Sequence, residues 1–370
     1  MYDQLLDITL LEKYYYQVRL NTKHRGKILN FEMYYMINLL QILNVLQSRQ
    51  YRHSPYNVFL IKEPKYRIIM SEIISDKIVN HLISNEILLP VLEPKLIETN
   101  VATRKDKGVS KGIYYVKKYI NRLKMNHDKI YVLKCDIKKY FYNIDHKILL
   151  EKLKKYIPDE EVLDVIANII DTTNDESCRE RIKKIITNEK KYLIRKNVHQ
   201  LDKKFKELDM IPFYEKGKGI PIGNMSSQIF AIFYLNDLDH FIKEKLKVKY
   251  YIRYMDDFTL LHWDKEFLKK CLVEIEKEVH KEKLELNKKT RIYSLHEGFN
   301  FLGYRFLLRG KRLLMLMNGQ TKKRIIKKLN RLRKRKSSHY EAVKASYKGY
   351  LMNCQSKGFM HRHKWYDEKD

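Results

Sequence analysis

The chain has 370 residues, 44% of them hydrophobic, enough to give two or three domains a core each and to exclude wholesale disorder. Lys and Arg number 75 against 45 Asp and Glu, and the formal charge of +30 points to a polyanionic partner, most often nucleic acid, the alternative being a merely Lys-rich background. The longest apolar runs, such as Phe230 to Leu235, fall far short of the ~20 residues of a membrane span, and the opening MYDQLLDITL lacks the basic-then-apolar form of a signal peptide.

With 12 Gly and 7 Pro, long flexible linkers are not expected, and no internal repeat is visible. Residues 1 to 50 read as helix, with apolar stripes at Met33, Met36, Leu39, Leu40 and then Ile42, Leu43, Leu46. Tyr14 to Tyr16 in this stretch could stack bases, but their helical spacing favours a partly core role. A short extended segment, Asn57 to Ile61, precedes Glu63-Pro64-Lys65-Tyr66-Arg67-Ile68-Ile69, where the proline marks a strand or loop edge. Residues 71 to 88 return to helix. Ile130 to Asp136 form a strand ending in a carboxylate, and Asp145 stands as N-cap before Ile148, Leu149, Leu150, Leu153 and Ile157 at helical spacing. A polar helical stretch, about 158 to 210, leads to the glycine-bearing loop Gly217 to Gly223 and a helix from about Asn224 to Lys243. Tyr250 to Leu261 read as two short strands around the acidic turn at Asp256-Asp257. A helix over about 265 to 284, a strand pair between about 290 and 316, a very basic helix and a short tail follow. Cys135, Cys178, Cys271 and Cys354 are scattered without a CxxC pair or a His/Cys cluster, which argues against a zinc module or disulfide framework and fits a reducing cytosol. Strands and helices alternating around two acidic turns predict an α+β catalytic core rather than an all-helical binder.

The two acidic turns carry the chemistry. Burying Asp136, Asp256 and Asp257 close together is unfavourable unless cations neutralise them. Magnesium suits that task, because it takes carboxylate and phosphate oxygens and keeps several waters. Two such ions, about 3.5–4 Å apart, activate an attacking 3′-hydroxyl and stabilise the leaving pyrophosphate. Alone, an aromatic-x-Asp-Asp is more often a solvated turn pair. The motifs that accompany it, in order along the chain, decide otherwise.

Tyr254-Met255-Asp256-Asp257 resembles the catalytic hairpin of reverse transcriptases, and Asp136-Ile137-Lys138-Lys139-Tyr140-Phe141 resembles their first acidic motif. Phe299-Asn300-Phe301-Leu302-Gly303-Tyr304 is similar to the primer-grip hairpin, and Gly219 to Gln228 occupies the place of the template- and nucleotide-positioning motif. The resemblance implies an α+β right-hand polymerase with fingers, palm and thumb, an antiparallel palm sheet and a helical N-terminal extension. Extension and fingers would span 1–124, the palm 125–308 (with 158–214 as a helical portion shared with the fingers), and the thumb with the C-terminal tail 309–370. The implied activity is RNA-directed DNA synthesis with two Mg2+ ions, Mn2+ being able to substitute, held by Asp136, Asp256, Asp257 and the carbonyl of Ile137. The implied partners are an RNA template, a DNA or RNA primer, dNTPs and the cDNA product, with no membrane.

Most reverse transcriptases carry Gln before the positioning glycine and a Ser-Pro after it, whereas this chain has Ile222-Gly223 and then Ser227-Gln228. That pattern is similar to the enzymes of diversity-generating retroelements, as are Ala102 to Gly108, Tyr251-Ile252-Arg253 and Gly349-Tyr350-Leu351, although Met225-Ser226 stand where that group has Leu-Thr. This closer resemblance implies error-prone synthesis, a structured template RNA and a small basic ring-forming accessory protein, in a bacterial or phage-encoded cytoplasmic setting. Two alternatives stay open: a phage-defence reverse transcriptase making protective DNA, and a catalytically idle RNA-binding scaffold, against which the intact carboxylates speak. The retron-type Val-Thr-Gly is absent, and the chain is expected to lack maturase, endonuclease and RNase H domains.

Phe141 lies where the family places an aromatic beneath the incoming sugar, so it is expected to exclude a 2′-hydroxyl, the alternative being an ordinary core ring. Lys65 and Arg67 would hold the triphosphate or else be solvated charges on a strand face. Arg104, with Lys105 and Lys107, is a second candidate. Lys289 would correspond to a palm-motif lysine acting on pyrophosphate, with Lys288 beside it as competitor. Residues 322 to 336 read KKRIIKKLNRLRKRK, ten basic in fifteen, with Ile325, Ile326, Leu329 and Leu332 on one helical face. Lys327, Lys328 and Arg331 on the other would track the template-primer backbone or form a solvated or partner-binding face.

Overall fold

The computed structural model describes residues 1–63, 65–174, 176–363 and 365; Pro64, expected at a strand edge, and the tail 366–370 lie outside the described residues. Two compact units interleave along the sequence. The first comprises Met1–Glu98, Ile137–Phe241 and Lys277–Glu285, the second Thr99–Asp136, Ile242–Glu276 and Leu286–Asp370. No helix among the described residues is long and apolar enough to cross a membrane.

The first unit is helical around one antiparallel hairpin, β1 (Asn57–Ile61) and β2 (Arg67–Ser71). Alternation along β2 turns Ile68 and Met70 inward against Cys178, Ile182 and Ile186 of the Glu176–Arg195 helix, and leaves Arg67 exposed. The N-terminal region forms three helices, Ile8–Asn21, Arg25–Glu32 and Tyr35–Gln47. Leu39, Ile42 and Leu46 are buried at spacings of three and four, as a core face requires. Met33, Met36 and Leu40 are exposed, which corrects the first of the apolar stripes expected there. The helix breaks at Met33-Tyr34, and in the next helix Met36 and Leu40 lie off the face that buries Leu39, Ile42 and Leu46. Tyr14 and Tyr15 are buried, their hydroxyls donating to Glu86 and Glu32, so they belong to the core.

Asp145 caps the His146–Lys154 helix by accepting from Ile148 N at 3.1 Å. Lys152 in that helix is buried, and its Nζ donates to Glu282 Oε1 at 2.6 Å, Asp237 Oδ2 at 2.9 Å and the Tyr234 carbonyl at 2.9 Å. The polar stretch after it forms the helices Glu160–Asp171, Glu176–Arg195 and Leu201–Asp209, and the glycine loop leads into the Met225–Tyr234 helix.

The second unit holds a four-stranded antiparallel sheet of β3 (Tyr131–Asp136), β4 (Tyr250–Tyr254), β5 (Asp257–His262) and β6 (Arg291–Ser294), in the order β4-β5-β3-β6. The Gly108–Asn126 helix buries Ile113, Val116, Ile120 and Leu123 against Val132, Ile252 and Leu261 of that sheet. The expected strand pair between 290 and 316 is four strands in two sheets. Besides β6, β7 (Phe299–Phe301), β8 (Tyr304–Arg309) and β9 (Arg312–Met317) form a separate antiparallel sheet. Local alternation cannot separate strands that are joined by short turns but pair in different sheets. The helices Gly319–Lys334, Tyr340–Met352 and Lys357–Arg362 close around Ile325, Leu329, Leu351, Met360 and Trp365.

Candidate active site

Strands β4 and β5 are joined across Met255-Asp256, with Tyr254 paired to Asp257. Met255 takes φ 57°, a left-handed conformation that disfavours a residue bearing a Cβ. The fully buried Arg253 supports it: Nη1 donates to the Met255 carbonyl at 2.9 Å, while its backbone bonds Thr99 O and Val101 N. Asp136, the last residue of β3, lies directly opposite Asp257 in register, so the two side chains rise from one face of adjacent strands.

Two residues not singled out from the sequence hold these carboxylates. Lys134, on the same face of β3 as Asp136, donates to Asp257 Oδ2 at 2.9 Å and to the Asn300 carbonyl at 2.5 Å. Asn287 donates through Nδ2 to Asp136 Oδ2 at 2.9 Å and through its backbone N to the Asp136 carbonyl at 2.7 Å. A lone lysine two positions before the aspartate in an apolar strand was the available signal for Lys134. Asn287 stands two residues before Lys289, the residue expected to act there. The Lys289 side chain is exposed, and its backbone N donates to Asn287 Oδ1 at 3.2 Å.

Asp257 Oδ1 is buried without a hydrogen-bond partner. Burial pushes the Asp257 carboxyl up to about 6; the Lys134 charge pulls it down and Asp136 pushes it further up. A carboxylate short of one partner and costly to ionise is a fitting place for a cation. Among the described residues no three His, Cys, Asp or Glu side chains are gathered to hold a metal by themselves.

Of the residues expected around the nucleotide, Lys65, Arg67, Phe141, Ile222 and Gly223 lie in the first unit, Arg104 and Lys289 in the second. Phe141, half-buried, sits in the short helix Tyr140–Asn143, entered through Lys139 at φ 49°. The glycine loop clamps this turn, with Ile220 N donating to the Phe141 carbonyl at 2.8 Å and Gly219 N to the Ile144 carbonyl at 2.7 Å. At its other end the Ile222 carbonyl accepts from Met70 N of β2 at 2.9 Å. Gly223 has φ 142°, and a Cβ there would come within 2.2 Å of the Met70 carbonyl. The loop thus ties Phe141, Ile222 and Gly223 to the strand that carries Arg67, whose charge acts on the Tyr142 hydroxyl. Lys65 and Arg67 are exposed. Ile137 is buried and opens the first unit's middle segment.

The sequence profile described as reverse transcriptase (RNA-dependent DNA polymerase) matches residues 61–306, about two thirds of the chain. The chain belongs to the reverse transcriptase family. Members of this family are RNA-dependent DNA polymerases, hence nucleotidyltransferases, and use divalent metal ions. No curated protein matches the sequence. Among solved structures the chain is similar to telomerase from Candida albicans in complex with a fragment of telomeric RNA, at 13% identity and a TM-score of 0.47, over 74% of this chain and 46% of that one. It is also similar to apo telomerase from Candida tropicalis truncated from its C-terminal domain, at 15% identity and a TM-score of 0.45, over 75% and 59%. The chain therefore spans roughly half the length of these structures.

The reverse transcriptase's remaining expected residues fall in the second unit. Strands β7 and β8 form the expected hairpin, with Leu302 and Gly303 at its tip at φ 51° and 85°, the twist a two-residue hairpin turn requires. Phe301 and Tyr304 are buried in the core, Leu302 packs against it, and Gly303 is exposed. Tyr350 stacks on Tyr304 with ring centroids 4.6 Å apart and donates to the Gly303 carbonyl at 2.6 Å, which accounts for the Gly349-Tyr350-Leu351 segment. Arg104 is half-buried and donates to the Asn100 carbonyl at 3.0 Å. On the Gly319–Lys334 helix, Ile325 and Leu329 are buried, Ile326 and Leu332 half-buried, Lys327 and Arg331 exposed and Lys328 half-buried.

Proposed function

We propose that this reverse transcriptase synthesises DNA on an RNA template by two-metal nucleotidyl transfer, with Asp136, Asp256 and Asp257 as the metal-holding carboxylates. The observation that carries this reading is the pairing of Asp136 opposite Asp257, with Asp257 Oδ1 buried and unpartnered beside the acidic turn. Magnesium bound there supplies activation of the primer 3′-hydroxyl and neutralisation of the leaving pyrophosphate. Asn287 fixes the Asp136 carboxylate, and Lys134 offsets the charge of Asp257 until a cation is present. Phe141 excludes a ribose 2′-hydroxyl, Lys65 and Arg67 attract the triphosphate, and the Gly319–Lys334 helix tracks the nucleic-acid backbone. Primer extension on RNA tests the core of this reading. Asp256→Asn keeps the side-chain shape and should lose synthesis by orders of magnitude while RNA binding persists; near-normal extension in magnesium overturns it.

Within the family we place the chain with the mutagenic enzymes of diversity-generating retroelements, bacterial or phage-encoded and working in the cytoplasm with a structured RNA and a basic accessory protein. Ile222 supports this. Its backbone carbonyl is committed to Met70, and its side chain has neither donor nor acceptor to offer a nascent pair. A positioned hydrogen bond contributes about 1 kcal/mol, several-fold in discrimination, so its absence permits mispairs. Sequencing cDNA made by wild type and Ile222→Gln on one template should show fewer errors opposite adenine in the variant. Equal adenine error rates remove Ile222 from the mechanism.

A further inference from the structure

The glycine loop is followed at once by the Met225–Tyr234 helix, and the way that helix begins is unusual. Its N-cap residue, Asn224, makes no capping bond to the helix. Its amide donates instead to Tyr56 OH at 2.6 Å. The first turn of a helix leaves backbone N–H groups without partners, and a buried start needs an acceptor from elsewhere. Here it comes from 146 residues away: Asn80 Oδ1, on the Ile74–Ile83 helix, accepts from Ser226 N at 3.0 Å. Asn80 Nδ2 donates to Ser226 Oγ at 3.0 Å and to Glu72 Oε1 at 2.8 Å. Asn80 and Ser226 are fully buried, and Glu72 is 4% exposed.

Glu72 has a second partner. His53, its side chain wholly buried, places Nε2 3.1 Å from Glu72 Oε1 and Nδ1 2.6 Å from the Ser54 carbonyl. Both ring nitrogens face acceptors, so the ring satisfies the geometry as an imidazolium donating twice. Tyr51 OH and Ser54 N both donate to Asp76, at 3.0 and 3.1 Å, and hold the backbone on which His53 sits. A chain of buried polar contacts thus runs from His53 through Glu72 and Asn80 to Ser226, three residues past Gly223.

We propose that Asn80 is a positioning residue for nucleotide binding, capping the helix behind the glycine loop in trans and so setting the loop's seat on β2, with Glu72 and His53 fixing the orientation of the Asn80 amide. The reasoning is one of rigidity. Ile220 to Gly223 are held in front by bonds to Phe141 and Met70, and behind through the start of this helix. An amide that gives two donors and accepts from Ser226 N has one orientation that satisfies all three contacts, and a buried amide turned the other way would face Glu72 oxygen to oxygen. This inference rests on the polymerase reading above.

An exchange of the two buried groups tests it, using single-nucleotide incorporation on a fixed RNA template with dNTP concentration varied. Asn80→Asp keeps an acceptor for Ser226 N but sets a carboxylate against Glu72. KM for dNTP should rise roughly tenfold, with kcat within about threefold and template-primer affinity unchanged. Adding Glu72→Gln restores a donor–acceptor pair with its members exchanged, and should return KM to within about threefold of wild type. Should Asn80→Asp fail to fold, Ser226→Ala removes one acceptor from a helical position and should raise KM two- to fivefold, roughly one lost hydrogen bond. An unmoved KM in the variants, with kcat lowered only by the fraction of active enzyme, overturns the positioning role and leaves the polymerase reading intact. Absence of DNA synthesis by the wild-type protein overturns both.

Discussion

Gly223→Ala separates two costs that a glycine substitution usually mixes. Gly217 and Gly223 both have positive φ, 75° and 142°, so an alanine at either meets an unfavourable backbone conformation. At Gly217 nothing lies within 4 Å of the added Cβ, and the cost is that conformation alone, about 1–2 kcal/mol. At Gly223 the Cβ would sit 2.2 Å from the Met70 carbonyl oxygen and 3.3 Å from Ile69 Cγ2. The nearer atom is strand backbone, which cannot swing aside. The loop must lift, and the bond from Met70 N to the Ile222 carbonyl, 2.9 Å long, goes with it. Adding about 1 kcal/mol for that bond and the displacement strain gives roughly 3–4 kcal/mol. For a unit of about 200 residues this corresponds to a fall in Tm of about 6–16 °C, against about 2–8 °C for Gly217→Ala. Thermal melting of both variants, followed by dNTP KM below the transition, reads the two effects; KM should rise for Gly223→Ala alone. If the two variants melt within about 2 °C of each other and keep wild-type KM, the loop is not seated on β2 as described.

Burial holds the Asp257 carboxyl near 6, and below that value Mg2+ must displace a proton from it, so calorimetric Mg2+ affinity should fall as pH drops through that value. Lys134→Gln removes the cation that pulls this carboxyl down, so the fall should begin at higher pH; an unchanged profile would show that Lys134 does not act on Asp257. Phe141→Ala should lower the dNTP/rNTP preference by roughly tenfold or more while weakening dNTP use only moderately, and an unaltered ratio in single-nucleotide extension would make Phe141 a packing residue. Exchanging Lys327, Lys328 and Arg331 for Gln should flatten the salt dependence of template-primer binding by up to about one log-log unit per lost contact, and the same slope as wild type would mean that the helix faces solvent or a protein.

Much of the fold was legible because it is locally encoded. The apolar run Asn57 to Ile61 is β1 to the residue, Asp145 caps its helix through its own side chain, and the acidic turn closes a hairpin. What escaped is what periodicity cannot see. A stripe that includes Met33, Met36 and Leu40 looks continuous in sequence, but Met33 falls in a turn and Met36 and Leu40 lie beside the buried face, not on it. The partners of the two paired carboxylates, Lys134 on Asp257 and Asn287 on Asp136, are separated from them by 123 and 151 residues. No local propensity records such pairings; only the closed sheet and the turn beside it bring the groups within bonding distance.

Interleaving has a consequence for how the protein is born. Lys152 is buried early in the chain, yet its shortest carboxylate contact, 2.6 Å, is to Glu282, in the last segment to join the first unit. Until Glu282 emerges the buried ammonium has Asp237 and the Tyr234 carbonyl but lacks its shortest ion pair, so the unit stays weakened on the ribosome until Lys277–Glu285 has left the exit tunnel. By then the strands Tyr131–Asp136, Tyr250–Tyr254 and Asp257–His262 have also emerged, so neither unit has a head start on the other. A nascent chain arrested near residue 270 should remain open to protease across the His146–Lys154 helix, and one arrested far enough past residue 285 to release Glu282 should not.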